Sequence, residues 1–328
     1  RSSLRYRLTR FEVRGCRDCS LVYLFPLPSP EEIPTMFARL YTTGEGSVPE
    51  LRTYYAFCYE VEPANPLVQS YERWLARLEQ HRAPGRLLDV GCGTGLFLAV
   101  ARRGGWQPFG IDECEPALRH ARDHFGLDVW AGEFGELADA GLHFDAITGW
   151  DVIEHARRPL DLLRAARRCL APGGVVGLST PNQRSVLGLV AGGVYRLSGG
   201  RLTAALEKFY IEQHFLYYTP ETLADSLARA GLELAALRRE LTDLRRLTLA
   251  PATRLALHTL FAAGRLFGRE NRIFAVARAA GGARRERGRQ EPARGAWYSR
   301  PPCGTSSCCP PTTRRRTCSV MCAPARMA

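Results

Sequence analysis

An α/β fold with a doubly wound, mostly parallel sheet is predicted by three observations. Apolar runs of strand length alternate with helix-patterned segments from residue 87 to residue 179. The first run, Leu87-Leu88-Asp89-Val90, passes straight into Gly91-Cys92-Gly93-Thr94-Gly95 and then into helical Leu96-Phe97-Leu98-Ala99-Val100-Ala101. Asp112, Glu133 and Trp150 fall at the carboxyl ends of later strands, where open parallel sheets bind their ligands. Alternate glycines allow positive φ and let a ligand lie against bare backbone. The G-x-G-x-G spacing differs from the G-x-G-x-x-G of nicotinamide-binding folds, because Leu96 stands in place of the third glycine. On these nine residues alone, a glycine-rich turn of some other doubly wound domain reads equally well.

Each element has its own signal. Phe11 to Tyr23 carries Cys16-Arg17-Asp18-Cys19 between two short β-like runs. That C-x-x-C has the shape of one knuckle of a zinc ribbon, but tetrahedral zinc needs four ligands and no second C-x-x-C is near. Cys16 and Cys19 are thus a possible zinc half-site, structural in role. Residues 31 to 62 mix Tyr, Phe and Pro around Tyr54-Tyr55-Ala56-Phe57, as a lid lining a substrate pocket would. Core packing accounts for the same aromatics and is the preferred reading. These segments form an N-terminal module, 1–62, ahead of a domain over 63–280. Leu67, Tyr71, Leu75 and Leu78 recur at helical spacing, so Leu67 to Gln80 is an amphipathic helix, turned by Pro84-Gly85 into the first strand.

Beyond the glycine turn, Trp106 to Asp112 is the second strand, Pro116 to Phe125 a helix with Pro in its first turn, and Leu127 to Trp130 the third strand. Phe144 to His155 covers the fourth strand and the turn after it. Pro159 to Leu170 is a helix, stopped by Ala171-Pro172-Gly173-Gly174, and Val175 to Ser179 is the fifth strand. Residues 183–218 interrupt the alternation. Thr219-Pro220 restarts it, with Thr as N-cap and Pro at N1. Leu232 to Leu241 and Asn271 to Arg278 are the last strands. Between them, Pro251 to Phe267 is a mostly apolar helix, read as capping the domain in preference to resting on a membrane. From Gly281 the chain turns to Arg, Pro, Ser, Thr and Cys without periodicity, a composition that cannot offset its ordering entropy; a disordered basic tail over 281–328 is expected.

The totals narrow the class. Charge of 24% and apolar content of 45% are ordinary for a globular protein. No apolar run approaches the roughly 20 residues that span a bilayer, and no signal peptide opens the chain, so a cytoplasmic protein is expected. Ten arginines and two glutamates in 281–328 carry +8 of the net +12, which leaves the body little electrostatic reason to bind nucleic acid. Five of the eleven cysteines lie in that tail, and no disulfide framework is visible in the body.

Several stretches, taken in order, resemble the motifs of class I S-adenosylmethionine-dependent methyltransferases of the bacterial small-molecule and quinone type. They are Asp89 with its glycine turn, Asp112 at the tip of the second strand, Pro172-Gly173-Gly174, and Thr180-Pro181-Asn182. The resemblance covers about residues 11 to 280. It implies a seven-stranded Rossmann-like sheet whose last strand runs antiparallel between its neighbours, and S-adenosyl-L-methionine as cofactor. Asp89, Gly91, Cys92, Gly93 and Gly95 would then form the donor-binding turn. Asp112, with Glu113 beside it, would take the ribose hydroxyls. Glu133 and Phe134 would face the adenine, and Trp150 the end of the fourth strand. Residues 183–218 would cover the substrate. Pro26-Leu27-Pro28-Ser29-Pro30 resembles the segment after the second ribbon knuckle in some relatives, where another C-x-x-C lies upstream; a truncated and a decayed ribbon both fit.

A sulfonium methyl donor is intrinsically reactive, so such a protein has to align the acceptor and exclude water. For a hydroxyl acceptor, a general base adds roughly two to four orders of magnitude. His155 and His214 are the candidates, each set against a structural histidine bonded to backbone. Asp151-x-x-Glu154-His155 also resembles an acid-x-x-Glu-His site that holds a divalent cation in quinone O-methyltransferases, with Asp here in place of the first Glu; metal binding is the less favoured reading. The expected function is methyl transfer to a hydroxyl or activated carbon of a small molecule or sugar. A nucleic-acid modifier and a silent cofactor-binding relative remain alternatives. Against the first, Gly149-Trp150-Asp151-Val152 stands where base-amine methylating enzymes carry an Asn/Asp/Ser-Pro-Pro-aromatic tetrad.

Overall fold

Strand alternation governs the first residues of the computed structural model, which describes residues 2–43 and 48–281. All but the first residue of the expected tail lies outside them. β1 (Ser2–Arg7), β2 (Glu12–Cys16) and β3 (Val22–Phe25) form an antiparallel meander, with Tyr6, Val13, Val22 and Leu24 turned inward. α1 (Glu32–Thr43), α2 (Arg52–Phe57) and α3 (Pro66–Glu79) follow. Asn65 caps α3, accepting from the Leu67 N–H at 2.8 Å, and Leu67, Trp74, Leu75 and Leu78 form its buried stripe.

Strands and helices then alternate: β4 (Arg86–Val90), α4 (Leu96–Arg103), β5 (Gln107–Asp112), α5 (Glu115–Phe125) and β6 (Asp128–Ala131). α6 (Phe134–Asp139), β7 (Phe144–Trp150), α7 (Pro159–Arg168) and β8 (Leu170–Pro181) continue the pattern. α8 (Val186–Leu197), α9 (Ala204–Phe209) and β9 (Leu216–Tyr217) fill the interruption. α10 (Pro220–Arg229), β10 (Leu232–Glu240), α11 (Pro251–Leu266) and β11 (Arg272–Ala279) close the described chain. At the head of α10, Thr219 and Thr222 bond each other's backbone N–H in a capping box.

The main sheet has the order β10-β11-β8-β7-β4-β5-β6. β4 to β8 pair in parallel, and β11 lies antiparallel to both β8 and β10. This is the seven-stranded sheet the resemblance implies. Strand order reverses where β4 meets β5 on one side and β7 on the other, and a ligand crevice opens at the carboxyl ends there. Leu87, Leu88, Ala146 and Val176 are fully or almost fully buried, as both faces of the sheet are covered by helices.

The boundary expected at residue 62 separates segments that the fold joins. β9 pairs with β3, so the N-terminal meander and the insertion after β8 share a four-stranded sheet, β1-β2-β3-β9. They also share an apolar core of Tyr6, Val13, Leu24, Leu206, Tyr210 and Tyr217. A meander this short buries too little by itself, and the insertion's aromatics complete it. α11 packs on α8 through Phe261 and Val186, while Leu255, Leu266 and Phe267 stay exposed. No helix among the described residues is long and apolar enough to cross a membrane.

Candidate functional site

The turn after β4 is stitched to β5. Gly91 donates its N–H to the Ile111 carbonyl at 2.8 Å, and Gly93 donates to Asp112 Oδ2 at 2.8 Å. Asp112 Oδ1 accepts from the Cys114 N–H, also at 2.8 Å. The glycine turn and the acid at the tip of the second strand therefore meet in a single crevice. Gly93 has φ 52°, and a Cβ built on it would lie 2.5 Å from the Tyr41 hydroxyl oxygen, so only bare backbone fits under that ring. Burial raises the Asp112 carboxyl above the usual range, against the lowering effect of the backbone N–H groups.

A cavity of about 1450 Å³ runs along these strand ends. Of the expected cofactor residues, Gly91, Asp112, Glu113, Glu133, Phe134 and Trp150 line it. Asp89, Cys92, Gly93 and Gly95 do not; they lie behind its wall. The Cys92 side chain is buried in the core against Gly110, so no donor contact by its thiol follows from this geometry. Gly95 is a packing position: a Cβ there would stand 2.7 Å from Leu127 and 2.8 Å from Ala121. Glu133 is exposed at the rim, and burial together with the charges of Glu133 and Asp112 pushes the Glu113 carboxyl up. Trp150 sits among Trp74, Phe97 and Phe274, with ring centroids 5.0 to 5.9 Å away.

Asp89 is 3% exposed and accepts a 2.6 Å hydrogen bond from Thr148 Oγ1. Burial pushes its carboxyl up to about 8, against the lowering effect of Thr148. A folded-state value above the unfolded one means that stability is lost as pH rises towards 8. Asp89→Asn is neutral in both states and escapes that loss. Its unfolding free energy, read from denaturant titrations, is therefore expected to pull ahead of the wild type between pH 5 and 8, by up to about 1.4 kcal/mol per pH unit, and to keep a constant lead above that.

The turn after β7 carries the remaining chemistry. Asp151 adopts φ 58°, a left-handed conformation costly for a residue with a Cβ. It is held by an ion pair to Arg272 at the start of β11 and by its own N–H to Ser179 O at 2.9 Å. Glu154 is fully buried, with Oε2 accepting from Thr180 Oγ1 at 2.8 Å; burial, and then Asp151, push its carboxyl up to about 8. His155 and His214 both line the cavity, with ring centroids 4.9 Å apart at 61°. His155 Nδ1 faces the Gln213 carbonyl, which makes it the donating nitrogen, and the Asp151 backbone also bonds the ring. Burial lowers both imidazoles, His214 well below its usual range with help from His155 and Arg272. Ligand atoms of Glu154, His155 and His214 lie within 4.8 Å of one another. The Asp151–Glu154–His155 set is not what converges, because Arg272 engages Asp151.

Cys16 and Cys19 lie away from the cavity at the β2–β3 turn. Backbone N–H groups of Cys19 and Asp18 lower the Cys16 thiol. Among the described residues no third metal-ligating side chain gathers with the pair. The aromatics of 31–62 serve both readings: Tyr54, Phe57 and Tyr59 pack against the core, while Phe37, Tyr41, Tyr54 and Tyr55 line the cavity, and Phe37 meets the His155 ring edge-on at 5.1 Å. Sequence reasoning also missed two cavity-lining arginines, Arg246 and Arg272. The one hint in the sequence is that Arg272 stands directly before the apolar run Ile273–Ala277.

Residues 66–237 match the family described as Methyltransferase domain. The chain is 36% identical over 156 residues to the ubiquinone biosynthesis O-methyltransferase of Ruegeria pomeroyi, an alignment covering 45% of this chain and 60% of that one. It is 32% identical over 187 residues to the Bordetella avium protein of the same name, covering 55% of this chain and 75% of the relative. A solved 1,6-didemethyltoxoflavin-N1-methyltransferase from Burkholderia thailandensis aligns with TM-score 0.48 and 16% identity, over 85% of this chain and 99% of that one. The match over 66–237 spans the glycine turn, Asp112 and the turn after β7, and with it the chain belongs to the methyltransferase-domain family, as a class I S-adenosylmethionine-dependent methyltransferase.

Proposed function

We propose that this chain methylates a hydroxyl of a mainly apolar small molecule, with His214 and His155 handling the acceptor proton. The observation that carries this reading is the pair of adjoining imidazoles on the wall of the same cavity that Gly91 and Asp112 line. S-adenosylmethionine supplies an electrophilic methyl group on a sulfonium. Asp112 has lone pairs left after its two backbone bonds and is placed to accept from ribose hydroxyls. Glu133 and Phe134 stand further along the same wall, at the adenine end of the reading. Backbone carbonyls hold the His155 ring in place, and the adjoining His214 ring can take a proton from an acceptor hydroxyl.

The apolar character of the acceptor is supported by the far wall, built from Leu187, Val190, Leu244, Leu257, Leu260 and Phe261. The names of the Ruegeria and Bordetella relatives point the same way for a hydroxyl acceptor. Labelled methyl donor offered with pools of hydroxylated aromatic metabolites and, separately, of sugar nucleotides tests this. Label in an ether of the aromatic pool supports the reading. Label in the sugar pool alone, or on nitrogen, contradicts it.

A further inference from the structure

Two buried arginines face the cavity, and among the described residues only one has an anionic partner. Arg272, 6% exposed, engages Asp151 and donates to Ser179 Oγ at 2.7 Å, while its Nε finds no acceptor. Arg246, 3% exposed in the turn after β10, makes no hydrogen bond or ion pair from its guanidinium to any described residue. Its guanidinium carbon lies 4.8 Å from the centre of the Tyr54 ring. A cation–π contact offsets only part of the cost of burying an unpaired charge. Trp150 Nε1 lines the same cavity and is likewise without an acceptor. All three groups are donors. What this wall lacks is an acceptor carrying negative charge.

We infer that Arg246 and Arg272 form a subsite for a carboxylate group. A guanidinium presents its donors in a planar fork that a carboxylate matches with two oxygens. One such anion would balance the unpaired cation and give the orphaned N–H groups acceptors. The inference rests on reading the cavity as the site of methyl transfer. Two carboxylates then qualify by chemistry: the aminoacyl carboxylate of the methyl donor, and a carboxylate on the acceptor beside its reacting hydroxyl. Asp151 already pairs with Arg272, so Arg246 is the residue whose loss is most informative. Removing Arg272 would instead strand a buried carboxylate.

Calorimetry on the full chain decides between them, comparing wild type with Arg246→Gln. The probes are S-adenosylhomocysteine, 5′-methylthioadenosine (which lacks the aminoacyl carboxylate), and benzoate added to protein saturated with either. If the donor supplies the anion, wild type prefers S-adenosylhomocysteine to methylthioadenosine by about tenfold to a hundredfold, and Arg246→Gln loses that preference. If the acceptor supplies it, S-adenosylhomocysteine binds both proteins alike, and benzoate binds only the wild type. In either case the free variant is expected to melt no lower than wild type, because an unpaired buried charge has gone. Equal binding of all three probes by the two proteins would overturn the subsite and leave Arg246 as a packing residue on Tyr54. Failure of wild type to bind S-adenosylhomocysteine would instead overturn the methyl-donor reading, and benzoate alone would then decide the subsite.

Discussion

Asp112→Ala is expected to weaken S-adenosylhomocysteine binding by about two to three orders of magnitude, measured by calorimetry. Three losses combine. In the proposed reading the carboxylate accepts from two ribose hydroxyls, and hydrogen bonds to a charged group are each worth about 1.5–3 kcal/mol. It also fixes the Gly93 N–H and the Cys114 N–H, so its removal loosens the glycine turn as well as the start of α5. Asp112→Asn keeps one acceptor oxygen and removes the charge, and a loss of about tenfold is expected for it. The order Ala worse than Asn worse than wild type separates a ligand-accepting carboxylate from one that serves only to pin the turn. A pinning role alone would lower the melting temperature of the free protein and weaken binding by the folded fraction by less than about tenfold in both variants.

His214→Gln is expected to lower kcat by about a hundredfold to ten-thousandfold and to leave donor affinity unchanged. The pH dependence gives a sharper test. Burial, the neighbouring His155 and Arg272 hold the His214 imidazole well below its usual range, so the base stays unprotonated at neutral pH. The acid limb of kcat/KM is therefore expected to lie below pH 6.5 in the wild type and to disappear in the variant. Stability follows the same linkage. Below about pH 6.5 the unfolded chain binds protons at His155 and His214 that the folded chain refuses, so folding weakens as pH falls. His214→Gln should soften that acid destabilisation. An unchanged rate and an unchanged acid limb would mark His214 as a structural residue.

The parts of this fold legible in the sequence are those whose physics is local. The β4 turn announces itself because positive φ and close packing force glycine at fixed spacing. Thr219 and Pro220 mark the start of α10 because capping involves neighbours within one turn. The acid at the end of β5 is legible for the same reason, since an apolar run leads straight to it. What escaped depends on distant pairings. β9 is two residues long, too short to show a period, and it joins β3 from nearly two hundred residues away. The Asp151–Arg272 pair spans 121 positions, and neither residue carries a local signature of the other. Tyr41, Tyr54 and Tyr55 look the same in sequence whether they fill a core or line a cavity. Only the folded structure shows that Tyr54 does both, packing on the core and lining the cavity.

A crystal structure of the full chain with S-adenosylhomocysteine tests the central claim most directly. The account predicts an adenosyl group in the crevice at the ends of β4 and β5, with both ribose hydroxyls within hydrogen-bond distance of Asp112 and the adenine beside Phe134. A ribose bound elsewhere, or one whose hydroxyls lie beyond hydrogen-bond reach of Asp112, would contradict it.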